Sequence, residues 1–77
     1  MIEFFVVTDV TQKTVAAILA QNDDLGNVNA IAYASRKLLD REQKWSSVER
    51  ECLAIAFALT KWEQWLWGHK IIAITDP

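Results

Sequence analysis

The stretch Trp45–Trp67, WSSVERECLAIAFALTKWEQWLW, constrains this chain more than any other. Val48, Cys52, Ile55, Leu59, Trp62 and Leu66 recur at spacings of four and three, which predicts one apolar stripe on an α-helix. Ser46, with Glu49 three residues on, forms a capping box that starts the helix. Gly68, just past Trp67, ends it as a C′ glycine. The helix is therefore expected over about 47–67. At roughly 100° per residue, Glu51 lies closer to the stripe than Glu49, Arg50 or Lys61 do. An unpaired carboxylate on a packed face costs several kcal/mol of desolvation. Glu51 therefore has a cation partner or sits at a rim reached by water and ions.

The flanking segments read mostly as strands. Ile2–Thr8 is β-branched and aromatic, apolar on both parities, and runs into Asp9, as a strand covered on both faces does. Val28–Ala34 is short, apolar and bounded by polar residues, again a strand. Lys70–Thr75 is a third such segment and runs into Asp76. Thr11–Asn22 is ambiguous: Val15, Ile18 and Leu19 have helical spacing and alanine is abundant, so local propensity slightly favours helix. Asn22–Asn27 is a turn, and Ser35–Lys44 reads as a polar connecting loop.

With 77 residues the chain makes one small domain, and its 52% hydrophobic content is too high for disorder. A single cysteine forms no internal disulfide and suggests a reducing compartment. No signal peptide or membrane span is visible, which predicts an intracellular, non-secreted protein with no membrane partner. The net charge of −2 argues against a free-standing nucleic-acid binder. Yet five of the eight basic residues, Arg36, Lys37, Arg41, Lys44 and Arg50, fall within 36–50, either as a solvated loop or as a phosphate-facing patch.

The strand ends Thr8-Asp9 and Thr75-Asp76 match. If 14–21 is a strand, the first three strands form an antiparallel meander, and the helix returns so that the last strand lies parallel to the first. Asp9, Glu51 and Asp76 then converge at one edge of the sheet. Three close carboxylates suit a hard cation, because otherwise each raises the pKa of the others.

Thr8-Asp9, IAYASRKL (Ile31–Leu38), SSVERECLAIAFAL (Ser46–Leu59) and ITD (Ile74–Asp76) together resemble the ribonuclease H domain of reverse transcriptases, of the type carried by Ty3/gypsy retrotransposons. The resemblance covers nearly the whole chain. It implies an α/β fold: a partial ribonuclease H-like domain over 1–77, with strands at about 2–8, 14–21 and 28–34, one long helix, and a strand at about 70–75 parallel to the first. It settles 14–21 as a strand, against the local reading.

The resemblance further implies that Asp9, Glu51 and Asp76 are catalytic acids holding Mg²⁺ (Mn²⁺ can substitute). The implied substrate is the RNA strand of an RNA–DNA hybrid, with Arg36, Lys37, Arg41 and Lys44 as phosphate contacts. The implied partners are a polymerase domain of the same polyprotein or a missing carboxy-terminal half, in the cytoplasm or a virus-like particle. Thr14 and Ala16 stand where the family usually has glycine, and the family's fourth acid, fifth strand and later helices are absent from these residues. The chain alone is accordingly expected to be inactive, and a non-catalytic interaction or structural module is the alternative.

The same residues also suit blander roles. Glu51 fits a helix start, and Asp9 and Asp76 fit turns. His69 reads as a surface residue, and Cys52 as a buried small hydrophobe. Trp62 is expected on the sheet, with Trp45, Trp65 and Trp67 in core or edge packing rather than base stacking. Leu53 and Phe57 are expected to face away from the sheet, toward a missing partner.

Overall fold

The computed structural model describes residues 2–75. The elements are β1 (Glu3–Val10), β2 (Thr14–Asn22), β3 (Val28–Lys37), α1 (Asp40–Gln43), α2 (Ser47–Lys61), α3 (Glu63–Leu66) and β4 (Lys70–Thr75). They build a four-stranded sheet in the order β3-β2-β1-β4. β1 pairs antiparallel with β2, Val6 opposite Leu19 and Thr8 opposite Ala17. β3 pairs antiparallel with β2, with a register shift between Leu19 and Ala20. β4 lies parallel to β1, Val6 opposite Ala73 and Thr8 opposite Thr75. The antiparallel meander, the returning helix and the parallel last strand implied by the resemblance are all present.

β2 is a strand although its alanines favour helix. It is hydrogen-bonded to a neighbour on each side, and Val15, Ala17 and Leu19 alternate onto one buried face. Pairing and burial on that scale outweigh propensity differences of a few tenths of a kcal/mol per residue. Val6, Val15 and Leu19 are the largest fully buried side chains, each contributing about 1.5–3 kcal/mol by burial.

α2 starts as its sequence dictates. Ser46 Oγ accepts from the Glu49 amide at 3.2 Å, and Glu49 Oε1 accepts from the Ser46 amide at 3.1 Å. Its packed face, however, departs from the expected stripe, of which Trp62 and Leu66, beyond the end of α2, are the buried members. Ala54 and Ala58 are fully buried, whereas Val48 is 68% exposed, Leu59 is 37% exposed and Cys52 is exposed. The line through Ala54 and Ala58 lies about 100° round the helix from the large-residue stripe. Small side chains let the helix axis approach the sheet closely, so the chain places alanines at the contact and larger groups on its flanks. Leu53 and Phe57, expected to face away, pack on the buried cluster of Val15, Leu38 and Ala54.

Four further expectations change. The helix is interrupted at Trp62 (φ −114°, ψ 26°), so that α3 can turn Leu66 into the core beside Trp62. The segment 35–44 is not all loop, because β3 runs on to Lys37 and α1 follows. Trp62 is buried, but Trp45, Trp65 and Trp67 are exposed, Trp67 by 84%. The expected C′ glycine, Gly68, has φ +79°, a left-handed conformation that β-carbons disfavour, and it ends α3 rather than one long helix.

Candidate functional site

Asp9 is the penultimate residue of β1, opposite Ala16. Alternation along the strand turns it to the face opposite buried Thr8, and it is exposed. The turn that follows is stitched by hydroxyls. Thr11 Oγ1 accepts from the Lys13 and Thr14 amides at 3.2 and 3.0 Å and lies 2.8 Å from Thr14 Oγ1. The Lys13 carbonyl accepts from the Leu38 amide at 2.7 Å, which ties the exit of β3 to the same turn.

Glu51 lies in the second turn of α2, half-buried, about 40° from the line through Ala54 and Ala58. Its neighbour Arg50 donates from Nη1 to the Thr11 carbonyl at 3.2 Å. That contact brings the start of α2 to the carboxyl end of β1, so Asp9 and Glu51 share one end of the molecule. The described β1–β4 ladder reaches Thr8–Thr75 at this same end. Asp76 lies outside the described residues. Among the described residues no three His, Cys, Asp or Glu side chains gather as a metal-binding group. Asp9 and Glu51 offer only carboxylate oxygens, a donor chemistry that fits a hard cation.

Thr14 and Ala16, the departures from glycine, sit in regular strand, and no non-glycine residue among those described has positive φ. Neither position requires glycine's backbone freedom here.

The basic residues divide. Arg36 grips Glu42 with both prongs, Nη1 to Oε1 at 2.9 Å and Nη2 to Oε2 at 3.0 Å. Glu42 is buried, and the Arg36 guanidinium, then the Leu39 amide, hold its carboxyl down at about 2. The charge of Arg36 is thus matched within the fold. Lys37, Arg41 and Lys44 are exposed. Lys44 lines a groove of about 480 Å³ with Gln12, Asp40 and Gln43, beside the Thr11–Thr14 turn.

The sequence shows Arg50 only as part of a basic cluster, and it does not show the Arg50–Thr11 contact, the Thr11–Thr14 stitch or the Arg36–Glu42 pair. The Thr-x-x-Thr pattern across a strand boundary was a readable turn signal. The Arg–Glu pair had none, since its partners meet only once β3 and α1 are placed.

A meander of antiparallel strands, a helix crossing back over it and a last strand parallel to the first define a ribonuclease H-like α/β fold. The chain belongs to the family described as the RNase H-like domain found in reverse transcriptase, which matches residues 2–77. It is 35% identical over 71 residues to the retrovirus-related Pol polyprotein from transposon opus of Drosophila melanogaster, covering 92% of this chain and 7% of that protein. It is 31% identical over 74 residues to the corresponding polyprotein from Drosophila transposon 297, covering 96% of this chain and 6% of that protein. The chain therefore spans only a small part of these relatives.

Among solved structures, a foamy viral protease–reverse transcriptase in complex with double-stranded DNA superposes with a TM-score of 0.80 at 23% identity, over 95% of this chain and 15% of that one. The foamy viral enzyme in complex with an RNA/DNA hybrid gives 0.67 at 22% identity, over 96% of this chain and 9% of that one. No helix among the described residues is long and apolar enough to cross a membrane.

Proposed function

We propose that this chain is the amino-terminal part of a retroelement ribonuclease H domain that hydrolyses the RNA strand of RNA–DNA hybrids, with Asp9, Glu51 and Asp76 as its acids. The observation that carries the reading is the Arg50–Thr11 contact, because it joins the helix turn bearing Glu51 to the strand end bearing Asp9. The family membership and the oxygen-only donors support it. Mg²⁺ or Mn²⁺ bound by these acids would supply an activated water and stabilise the leaving oxygen. The chain's own part is to hold the carboxylates at the rim of the sheet, with water able to reach Asp9. Lys37, Arg41 and Lys44 contact phosphates and orient the hybrid, whose RNA strand is distinguished through 2′-hydroxyls along a shallow minor groove.

Residues 1–77 alone do not cleave at a useful rate. Three acids leave part of a two-cation site without ligands, and small misplacements of reacting groups cost on the order of 100-fold. The test incubates labelled hybrid and Mg²⁺ or Mn²⁺ with this chain, alone and with the carboxy-terminal remainder of a relative's domain added. Asp9→Asn serves as the blank. The expected result is no cleavage by the chain alone and cleavage on complementation that the variant abolishes. A folded, complemented pair that leaves the hybrid intact would favour a non-catalytic module. Cleavage by the wild-type chain alone, absent from the variant, would refute its inactivity.

A further inference from the structure

Arg50 is half-buried and is aimed at a backbone carbonyl rather than at a carboxylate. Its Nη1 donates to the Thr11 carbonyl at 3.2 Å across 39 residues of chain. Its Nε is buried and has no partner among the described residues. Among those residues, no other hydrogen bond joins α2 to the sheet or its turns. The buried hydrophobic clusters between helix and sheet include Ala54 and Ala58 of α2. The burial of apolar surface is itself non-directional. A directional bond at one end of the helix supplies what the alanines lack.

We propose that Arg50 is a positioning residue that clamps the β1–β2 turn onto the start of α2 and so sets the separation of Asp9 and Glu51. Both ends of the clamp are hydrogen-bonded within themselves. Thr11 lies two residues beyond Asp9, in a turn closed by the Thr11 amide on the Thr14 carbonyl at 2.9 Å and by the Thr11 hydroxyl bonds. Displacing Thr11 therefore displaces the end of β1. On the helix side, the Arg50 amide donates to the Ser46 carbonyl at 3.0 Å, within the turn fixed by the capping box. Glu51 follows directly. The two acids are thus linked through the end of β1, Asp9–Val10–Thr11, the hydrogen bond, and Arg50–Glu51. Lysine could reach the carbonyl with one donor but would lack the planar guanidinium and its Nε. The positioning half of the inference rests on the cation-binding reading above, whereas the clamp itself does not.

The test uses the ¹⁵N-labelled chain as wild type, Arg50→Met and Arg50→Lys, with dispersed spectra required of each. The first readout is amide hydrogen exchange. Losing the Arg50 bond to the exposed Thr11 carbonyl is expected to speed exchange of the Lys13 and Thr14 amides by about threefold to tenfold in Arg50→Met, with Val6 and Leu19 unchanged and Arg50→Lys intermediate. Wild-type exchange at Lys13 and Thr14 in Arg50→Met would overturn the clamp. The second readout is Mn²⁺ line broadening. In wild type the Asp9 and Glu51 signals broaden together; in Arg50→Met they separate and require about tenfold more Mn²⁺, as loss of a supporting group does at metal sites. A loosened turn with an unchanged Mn²⁺ response would overturn the positioning role and leave Arg50 a structural tie. Absence of broadening at both acids in wild type would instead remove the cation reading, and the positioning role with it, while exchange still decides the clamp.

Discussion

Arg36 at the end of β3 and Glu42 in α1 form a two-pronged ion pair, with N–O distances of 2.9 and 3.0 Å. Glu42 Oε1 also accepts from the Leu39 amide at 2.7 Å. One carboxylate therefore fixes the corner where the sheet passes into the helical half. Two bonds from a planar guanidinium plus one from the backbone leave the charged form of Glu42 well satisfied.

That pair predicts an acid-sensitive corner. The Glu42 pKa falls from an ordinary 4.5 to about 2 on folding, so the unfolded chain binds the proton more readily. The pair's contribution is fully present above about pH 5 and is lost progressively as pH falls through 4.5 toward 2. Thermal unfolding followed between pH 7 and 2 is expected to show a steeper loss of melting temperature below pH 5 in wild type than in Glu42→Gln. Parallel profiles for the two proteins would contradict the pairing.

The packed face of α2 predicts an inverted hydrophobic response. Ala54→Leu or Ala58→Leu adds bulk where none fits and is expected to destabilise by about 1–3 kcal/mol. Cys52→Ser and Val48→Thr, on the exposed side, should stay within about 0.5 kcal/mol. Urea unfolding of the four variants checks this. Greater sensitivity at Val48 and Cys52 than at Ala54 and Ala58 would restore the large-residue stripe as the packed face.

The exposed cations predict a salt signature. Replacing Lys37, Arg41 or Lys44 by glutamine should weaken binding to an RNA–DNA hybrid. The log–log salt slope should drop by about 0.7–0.9 for each phosphate that the variant no longer neutralises. Fluorescence anisotropy of a labelled hybrid over a salt series measures it. An unchanged slope in all three variants would assign these residues to a solvated surface.

Much of the fold is legible in the residues themselves. The capping box at Ser46, the glycine past Trp67 and the apolar runs into Asp9 and Asp76 follow local rules that tertiary context rarely overturns. β2 is not legible locally, because its alanines and its spacing of Val15, Ile18 and Leu19 satisfy a helix; only the family motifs elsewhere in the chain identify it as a strand. The packed face of α2 is hidden for a different reason. Periodicity weighs large apolar residues, whereas helix-to-sheet approach at Ala54 and Ala58 selects small ones. In a domain that spans so little of its relatives, a large-residue stripe need not be the one this sheet covers. At the candidate site, the strand end and the helix turn mark Asp9 and Glu51 as acids that can converge, and only the resemblance to the family implies a catalytic role for them. Arg50 cannot, because its partner is a backbone carbonyl in a distant turn.

Asp9 and Glu51, with Asp76, are the acids proposed above to hold a divalent cation. Mn²⁺ binding, read from the free-ion electron paramagnetic resonance signal, tests that role most directly in wild type and in Asp9→Asn, Glu51→Gln and Asp76→Asn. One saturable class of site that Mg²⁺ displaces is expected, weakened on the order of tenfold or more by each substitution because a hard cation depends on every carboxylate that neutralises it. Binding indistinguishable among the four proteins, or abolished instead by substitution of the turn acids Asp23 and Asp24, would contradict that role.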